Sequence, residues 1–116
     1  MLGPILHIVL HFIIPVAVSS CWAKWTHSEW RGRGFLLYGL MLLTMVIDVD
    51  HLLADPIYDP NRCSLGFHPL HTLFPIVFYF VLCVWSAVRP IGIGLIVHML
   101  LDSFDCYRVI GLWYMN

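Results

Sequence analysis

The sequence predicts an all-α fold, an integral membrane four-helix up-down bundle forming a single domain over residues 1–116. Three observations predict it. Sixty per cent of the residues are hydrophobic and only 11% charged, with a mean hydropathy of +0.84, whereas soluble domains carry about 25% charged residues. Four stretches, roughly 2–22, 35–54, 69–88 and 90–114, each supply the run of about 20 mostly apolar residues that crosses a hydrocarbon core. The connections between them are short, which makes consecutive helices antiparallel neighbours and leaves each helix to pair its own backbone groups.

The first helix opens "MLGPILHIVLHFIIPV", with no Lys or Arg before Lys24. "VSSC" at 18–21 loosely resembles a lipoprotein cleavage box, but the basic region of a signal peptide is missing, so an uncleaved first helix is expected. Pro15 is expected to kink it. The second helix should end at or before Asp55, because Asp55-Pro56 and Asp59-Pro60 are turn-forming pairs and each Pro disfavours helix in the preceding residue. Asp55 and Asp59 are therefore read as turn residues. "HPLH" at 68–71 places Pro69 at the first position of the third helix, where its missing N–H is harmless. The tight "VRP" leads into the fourth, in which Gly92 and Gly94 permit close helix contact. No internal repeat or low-complexity segment occurs.

Charge narrows the class of partner. The net charge is −1, and six Lys and Arg lie scattered along the chain, which excludes the clustered cations that bind nucleic acid. Lys24, Arg31, Arg33 and Arg89 fall on one side of the bundle, against Arg62 and Arg108 on the other. The positive-inside rule then puts the 23–34 loop in the cytoplasm, with both termini and the 55–67 loop outside. Trp25, Trp30 and His27 read as interfacial anchors. Cys21, Cys63, Cys83 and Cys106 form no metal-binding spacing, and buried free thiols are expected.

The ionisable residues carry the functional signal. His7 and His11 lie early in the first helix, and Asp48, Asp50 and His51 at the end of the second. His68 and His71 stand at the start of the third helix, with His98, Asp102 and Asp105 in the middle and second half of the fourth. Because the helices alternate in direction, all of these fall in the same leaflet half. Carboxylates in hydrocarbon cost about 2.5–3.5 kcal/mol each even on lenient scales, and a shared cation would supply the missing counter-charge. Within helices, His7/His11 and His98/Asp102 are four apart, while Asp48/His51 and His68/His71 are three apart, so each pair shares a face. Asp48 and Asp50, two apart, do not. Either the helix loosens there or the two carboxylates serve different partners. Imidazole with carboxylate and no thiolate suits Zn²⁺, with Mn²⁺ or Fe²⁺ as alternatives. About ten candidate ligands exceed one tetrahedral site; two ions sharing a bridging carboxylate, or one ion with a full outer shell, would use them.

At these residues the chain resembles a group of bacterial inner-membrane proteins classed as metal-dependent hydrolases, and in particular a small four-helix family related to them. The resemblance rests on "DVDHLL" at 48–53 with its continuation "ADPIYDPNRCSLGFHPLH", on His11, and on "HMLLD" at 98–102. It covers nearly the whole chain. The larger group shows a longer His-Arg-x-x-Thr-His-Ser element where this chain has "HPLHT". The candidate metal ligands are His11, which the resemblance favours, with Asp48, Asp50, His51, His68, His71, His98 and Asp102, which their spacing and shared level favour, and His7 and Asp105 as additional candidates.

The expected function is hydrolysis of a lipid or lipid-linked phosphate or ester by a metal-activated water in the periplasmic leaflet of the inner membrane. Whichever of Asp48 and Asp50 is not tied to metal would act as general base, and Arg62 would hold an anionic group of the substrate. No GxSxG occurs. Membrane lipids are the expected partners, and homo-oligomerisation stays open. Three other readings compete. A metal or proton transporter would string ionisable residues through the full membrane depth. A haem bundle would not need so many carboxylates. A metal-stapled structural protein without turnover would close its ligand shell.

Overall fold

The computed structural model describes residues 2–27, 30–57 and 59–115. The side chains of Trp30 and Arg31, read above as an anchor and an inside-facing charge, lie outside the described residues. The described elements are all helical. Helix α1 spans Leu2–Trp25. It runs through Pro15, and one turn on the Ser19 hydroxyl donates to the Pro15 carbonyl at 2.6 Å. A π-helical turn, Trp30–Gly34, leads into α2, Phe35–Leu43. The expected regular helix to residue 54 is not kept. From Thr44 to Leu53 the chain tightens into a 3₁₀ helix, with three residues per turn.

The third predicted helix is also divided. A single 3₁₀ turn, Pro69–His71, precedes α3, Leu73–Val84, with Thr72 extended between them. Pro75 explains the break, since it has no N–H to offer the His71 carbonyl one turn back. That carbonyl instead accepts from Gly66 N at 3.0 Å. At 12 residues α3 is about 18 Å long, short of the about 30 Å of a hydrocarbon core. It ends at Val84 rather than 88, where the Arg89 guanidinium donates to the carbonyls of Cys83 and Val84. Helix α4 spans Arg89–Ile110, stopping short of 114 because Gly111 takes a left-handed conformation (φ 73°) and closes the helix on the Tyr107 carbonyl. The residues beyond fold back, and Met115 N donates to Leu65 O at 3.0 Å.

Helix α4 packs against α1, α2 and α3, and its glycines make that possible. A Cβ on Gly92 would lie 2.6 Å from Cys83 N and 2.7 Å from Leu82 C; one on Gly94 would lie 2.9 Å from Thr44 Cγ2 and 3.0 Å from Met41 Cα. The backbone atoms cannot swing aside. Gly92→Ala is therefore expected to destabilise the bundle by the about 1–3 kcal/mol of an overpacked contact, read as a lower midpoint of thermal unfolding in detergent. Gly39→Ala, where a Cβ meets nothing within 4 Å, should leave that midpoint unchanged or raise it. Equal loss in both variants would contradict the close-contact reading.

The interior inverts the soluble pattern. His11, Ser19, Thr44, Asp50, His68, His71, His98 and Asp102 are buried, while Ile5, Phe12, Leu53, Phe74, Phe78 and Val84 are among many large apolar side chains left exposed. Two helical segments, Gly3–Trp25 and Gly32–Leu53, are long and apolar enough to cross a membrane. A smaller apolar cluster gathers Cys63, Leu65, Tyr79, Leu95, Met99 and Cys106.

The cysteines depart from expectation. Cys63 and Cys106 form a disulfide across 43 residues of sequence, and the two free thiols are exposed (Cys21) or half-buried (Cys83). None of the four is a buried free thiol. Pairing here depends on where the 55–67 loop lands on α4, which residue spacing does not encode.

Candidate metal centre

The polar residues of all four helices meet near one end of the bundle, with Asp102 in the middle. From α4, one turn apart, come His98 and Asp102, each with a side chain only 2% exposed. Helix α1 contributes His7 and His11 on one face. His7 Nε2 lies 3.1 Å and His11 Nε2 3.4 Å from Asp102 Oδ1. On the other carboxylate oxygen, Oδ2, His71 Nε2 lies at 3.1 Å and His98 Nε2 at 3.4 Å.

The 3₁₀ geometry of 44–53 decides what Asp48 and Asp50 do. Side chains three apart eclipse in such a helix, which stacks His51 on Asp48, their Nε2 and Oδ1 atoms 3.4 Å apart. Asp48 Oδ1 also lies 3.0 Å from His98 Nε2 and 3.3 Å from His71 Nε2. Asp50, two residues on, points away from Asp48 and serves other partners. Its Oδ2 accepts from Leu70 N at 2.8 Å and from His71 Nδ1 at 3.1 Å. Of the two possibilities raised by the sequence, the helix tightens rather than loosens, and the carboxylates divide their roles.

These hydrogen bonds set the imidazole tautomers. The His7 carbonyl, 2.9 Å from His11 Nδ1, can only accept, so Nδ1 carries a proton and Nε2 is the atom that faces Asp102. A carboxylate on His71 Nδ1 does the same for that ring. This is the carboxylate–histidine arrangement that orients metal-ligating imidazoles. Of the inward contacts among the described residues, His98 Nε2 to Asp48 Oδ1 is a hydrogen bond at 3.0 Å. His11 Nε2, His71 Nε2 and Asp102 Oδ2 are buried and have no hydrogen-bond partner among the described residues. The other separations, 3.1–3.4 Å, match the spacing of ligands around a common centre, since ligand atoms about 2.0–2.1 Å from a tetrahedral zinc stand about 3.3 Å apart. Among the described residues, three groups could each hold an ion: Asp48, His71, His98 and Asp102; His7, His11 and Asp102; and Asp50, His51 and His71. The donor set fits a borderline divalent metal.

Residues 1–109 match a family of unknown function, DUF6122. The chain belongs to the DUF6122 family. No curated protein and no solved structure matches it significantly.

In this DUF6122 protein a cavity of about 600 Å³ opens onto the cluster, lined by His7, Asp48, His51, Arg62, His68 and Arg108 among others. His68 is buried but joins none of the ligand groups. Its ring stacks on His51 at 3.8 Å between centroids, and burial, followed by the neighbouring His51, pushes its pKa down to about 4. It thus supports a ligand rather than standing among the converging atoms. Arg62 reaches the cavity wall, its guanidinium bonded to the Ile57 carbonyl at 2.8 Å and 4.7 Å from the Phe67 ring centroid. Asp105 lies at the edge, 3.8 Å from His7 Nδ1 and paired with Arg108. Asp59 caps its own turn, accepting from Asn61 N, as read from the sequence.

Two contributors were not placed in the site by sequence reasoning. Arg108, tied to Asp105 and to the Gly3 carbonyl, brings a second cation to the cavity; the sequence offers it only as a charge on the outer side and as the partner of Asp105 three residues back. Tyr79 donates to the Leu70 carbonyl at 2.9 Å, bracing the turn that presents His71, and no sequence pattern marks it.

Proposed function

We propose that this chain is an integral protein of the bacterial inner membrane that holds a divalent metal, zinc in the first instance, and hydrolyses a lipid or lipid-linked phosphate or ester. The observation that carries the reading is the convergence of buried, hydrogen-bond-orphaned His and Asp atoms beneath an open cavity walled by two arginines. A divalent ion in such a site supplies Lewis acidity, lowering the pKa of water toward about 7 and polarising a phosphoryl or acyl oxygen.

The chain's own residues then divide the work. His7, His11, His71, His98 and Asp102 would hold the ion. Asp50 keeps the His71 proton on Nδ1. Asp48, with a side chain 36% exposed, stands at the cavity side of the group it forms with His71, His98 and Asp102 and would complete that ligand set. Arg62 and Arg108 favour an anionic substrate group. Support for the membrane comes from the apolar exterior around a polar interior, since soluble monomers rarely leave such extended apolar surface uncovered. Support for the periplasmic leaflet comes from the Cys63–Cys106 disulfide at the cluster's end of the bundle, as disulfides persist in oxidising compartments.

Elemental analysis of protein purified in detergent is expected to find a divalent metal in the wild type and its loss in His98→Ala. Vesicles containing phosphodiester, phosphomonoester and carboxylester lipids should be hydrolysed by the first and not the second. Wild-type protein that takes up no metal would sink the site; metal without turnover on any of these lipids would sink the hydrolase and leave a structural ion.

A further inference from the structure

Resting on the metal reading above, we infer that the centre is dinuclear, with Asp102 bridging two divalent ions, one on each carboxylate oxygen. The two oxygens face different imidazole pairs: Oδ1 faces His7 and His11 of α1, and Oδ2 faces His71 and His98. A single ion on either oxygen would leave one buried, unpartnered nitrogen, His11 Nε2 or His71 Nε2, without a ligand role. His11 Nε2 and His71 Nε2 lie on opposite sides of this division, and both lack a hydrogen-bond partner. His11 is 3% and His71 0% exposed, so water does not satisfy them.

The two halves differ in kind. His71, His98, Asp48 and Asp102 make a four-ligand group, whereas His7, His11 and Asp102 make three. Four protein ligands close a tetrahedral shell; three leave the open position typical of reactive sites. His7 and Asp48 both line the cavity, so a substrate reaches both halves, and the open position lies in the half built on His7 and His11. Two divalent ions bring four positive charges against the carboxylates of Asp48, Asp50 and Asp102, Asp105 being neutralised by Arg108 and the charge of Asp59 on the cavity wall by that of Arg62. The net positive remainder selects an anionic substrate group such as a phosphate ester rather than a neutral ester.

The test is metal stoichiometry in nanodisc-reconstituted full-length protein titrated with Zn²⁺, with Mn²⁺ loading followed by electron paramagnetic resonance. Wild type is expected to bind two equivalents of Zn²⁺ and to give an exchange-coupled Mn²⁺ spectrum. His7→Ala/His11→Ala should bind one equivalent and give an uncoupled spectrum. One equivalent in the wild type, or an uncoupled spectrum at full loading, overturns the bridge while leaving a mononuclear hydrolase intact. No binding at all removes both. Should the double variant fail to fold, the wild-type stoichiometry and coupling decide the matter alone.

Discussion

Asp102→Asn is expected to abolish metal binding, with the zinc content of purified protein falling to background and lipid hydrolysis falling with it. The side chain is 2% exposed and lies within 3.4 Å of four imidazoles. The amide has nearly the same shape, but it removes the negative charge and replaces one acceptor with an N–H donor aimed at imidazole lone pairs. Both oxygens are in use, so no rotamer avoids the conflict. The contrast with Asp50→Asn makes the test specific. Asp50 touches His71 Nδ1 and Leu70 N, outside the converging atoms, and outer-shell changes of this type cost about 10–100-fold in metal affinity. Competition against a chromophoric chelator should therefore show weakened but measurable binding in Asp50→Asn and none in Asp102→Asn. Equal losses would mean that Asp50 is itself a ligand.

Loss of the Cys63–Cys106 disulfide is the second large effect expected. It closes a loop with a sequence separation of 43, for which the chain-entropy account gives about 4 kcal/mol. The consequence is local as well as global. Cys63 sits in the segment that carries Arg62 and His68, and Cys106 lies one turn beyond Asp102 on α4, so the bond ties the cavity wall to the helix at the centre of the site. Cys63→Ser/Cys106→Ser is expected to melt well below wild type and to hold metal less tightly. Alkylation of unfolded, unreduced protein should modify two thiols, Cys21 and Cys83, and four after reduction. Four modified thiols without reductant would show that the bond does not form.

What could be read from the residues alone follows from patterns that are local. Helix count and order come from apolar runs. The gathering of His7, His11, Asp48, His51, His71, His98 and Asp102 comes from spacings of three and four and from the alternation of short-looped helices. Gly92 and Gly94 read correctly as contact points because their lack of a side chain has few other uses in a helix. Element boundaries and geometry were less legible. The 3₁₀ stretch over 44–53 and the shortening of α3 reflect competition between backbone hydrogen bonds and tertiary partners. Pro75 was the one local clue to the latter.

The sequence by itself determined that four helices would bring one set of imidazoles and carboxylates to a common level, since periodicity and chain direction suffice for that. Only the tertiary structure decided which carboxylate stands at the centre and which stands behind it. Asp48 and Asp50 are chemically identical and two residues apart; what separates them is the three-residue turn of a 3₁₀ helix, which aims one at His98 and the other at the back of His71. It also decided that Cys63 meets Cys106, because a contact across 43 residues is a property of how the loop packs on α4 and leaves no trace in spacing.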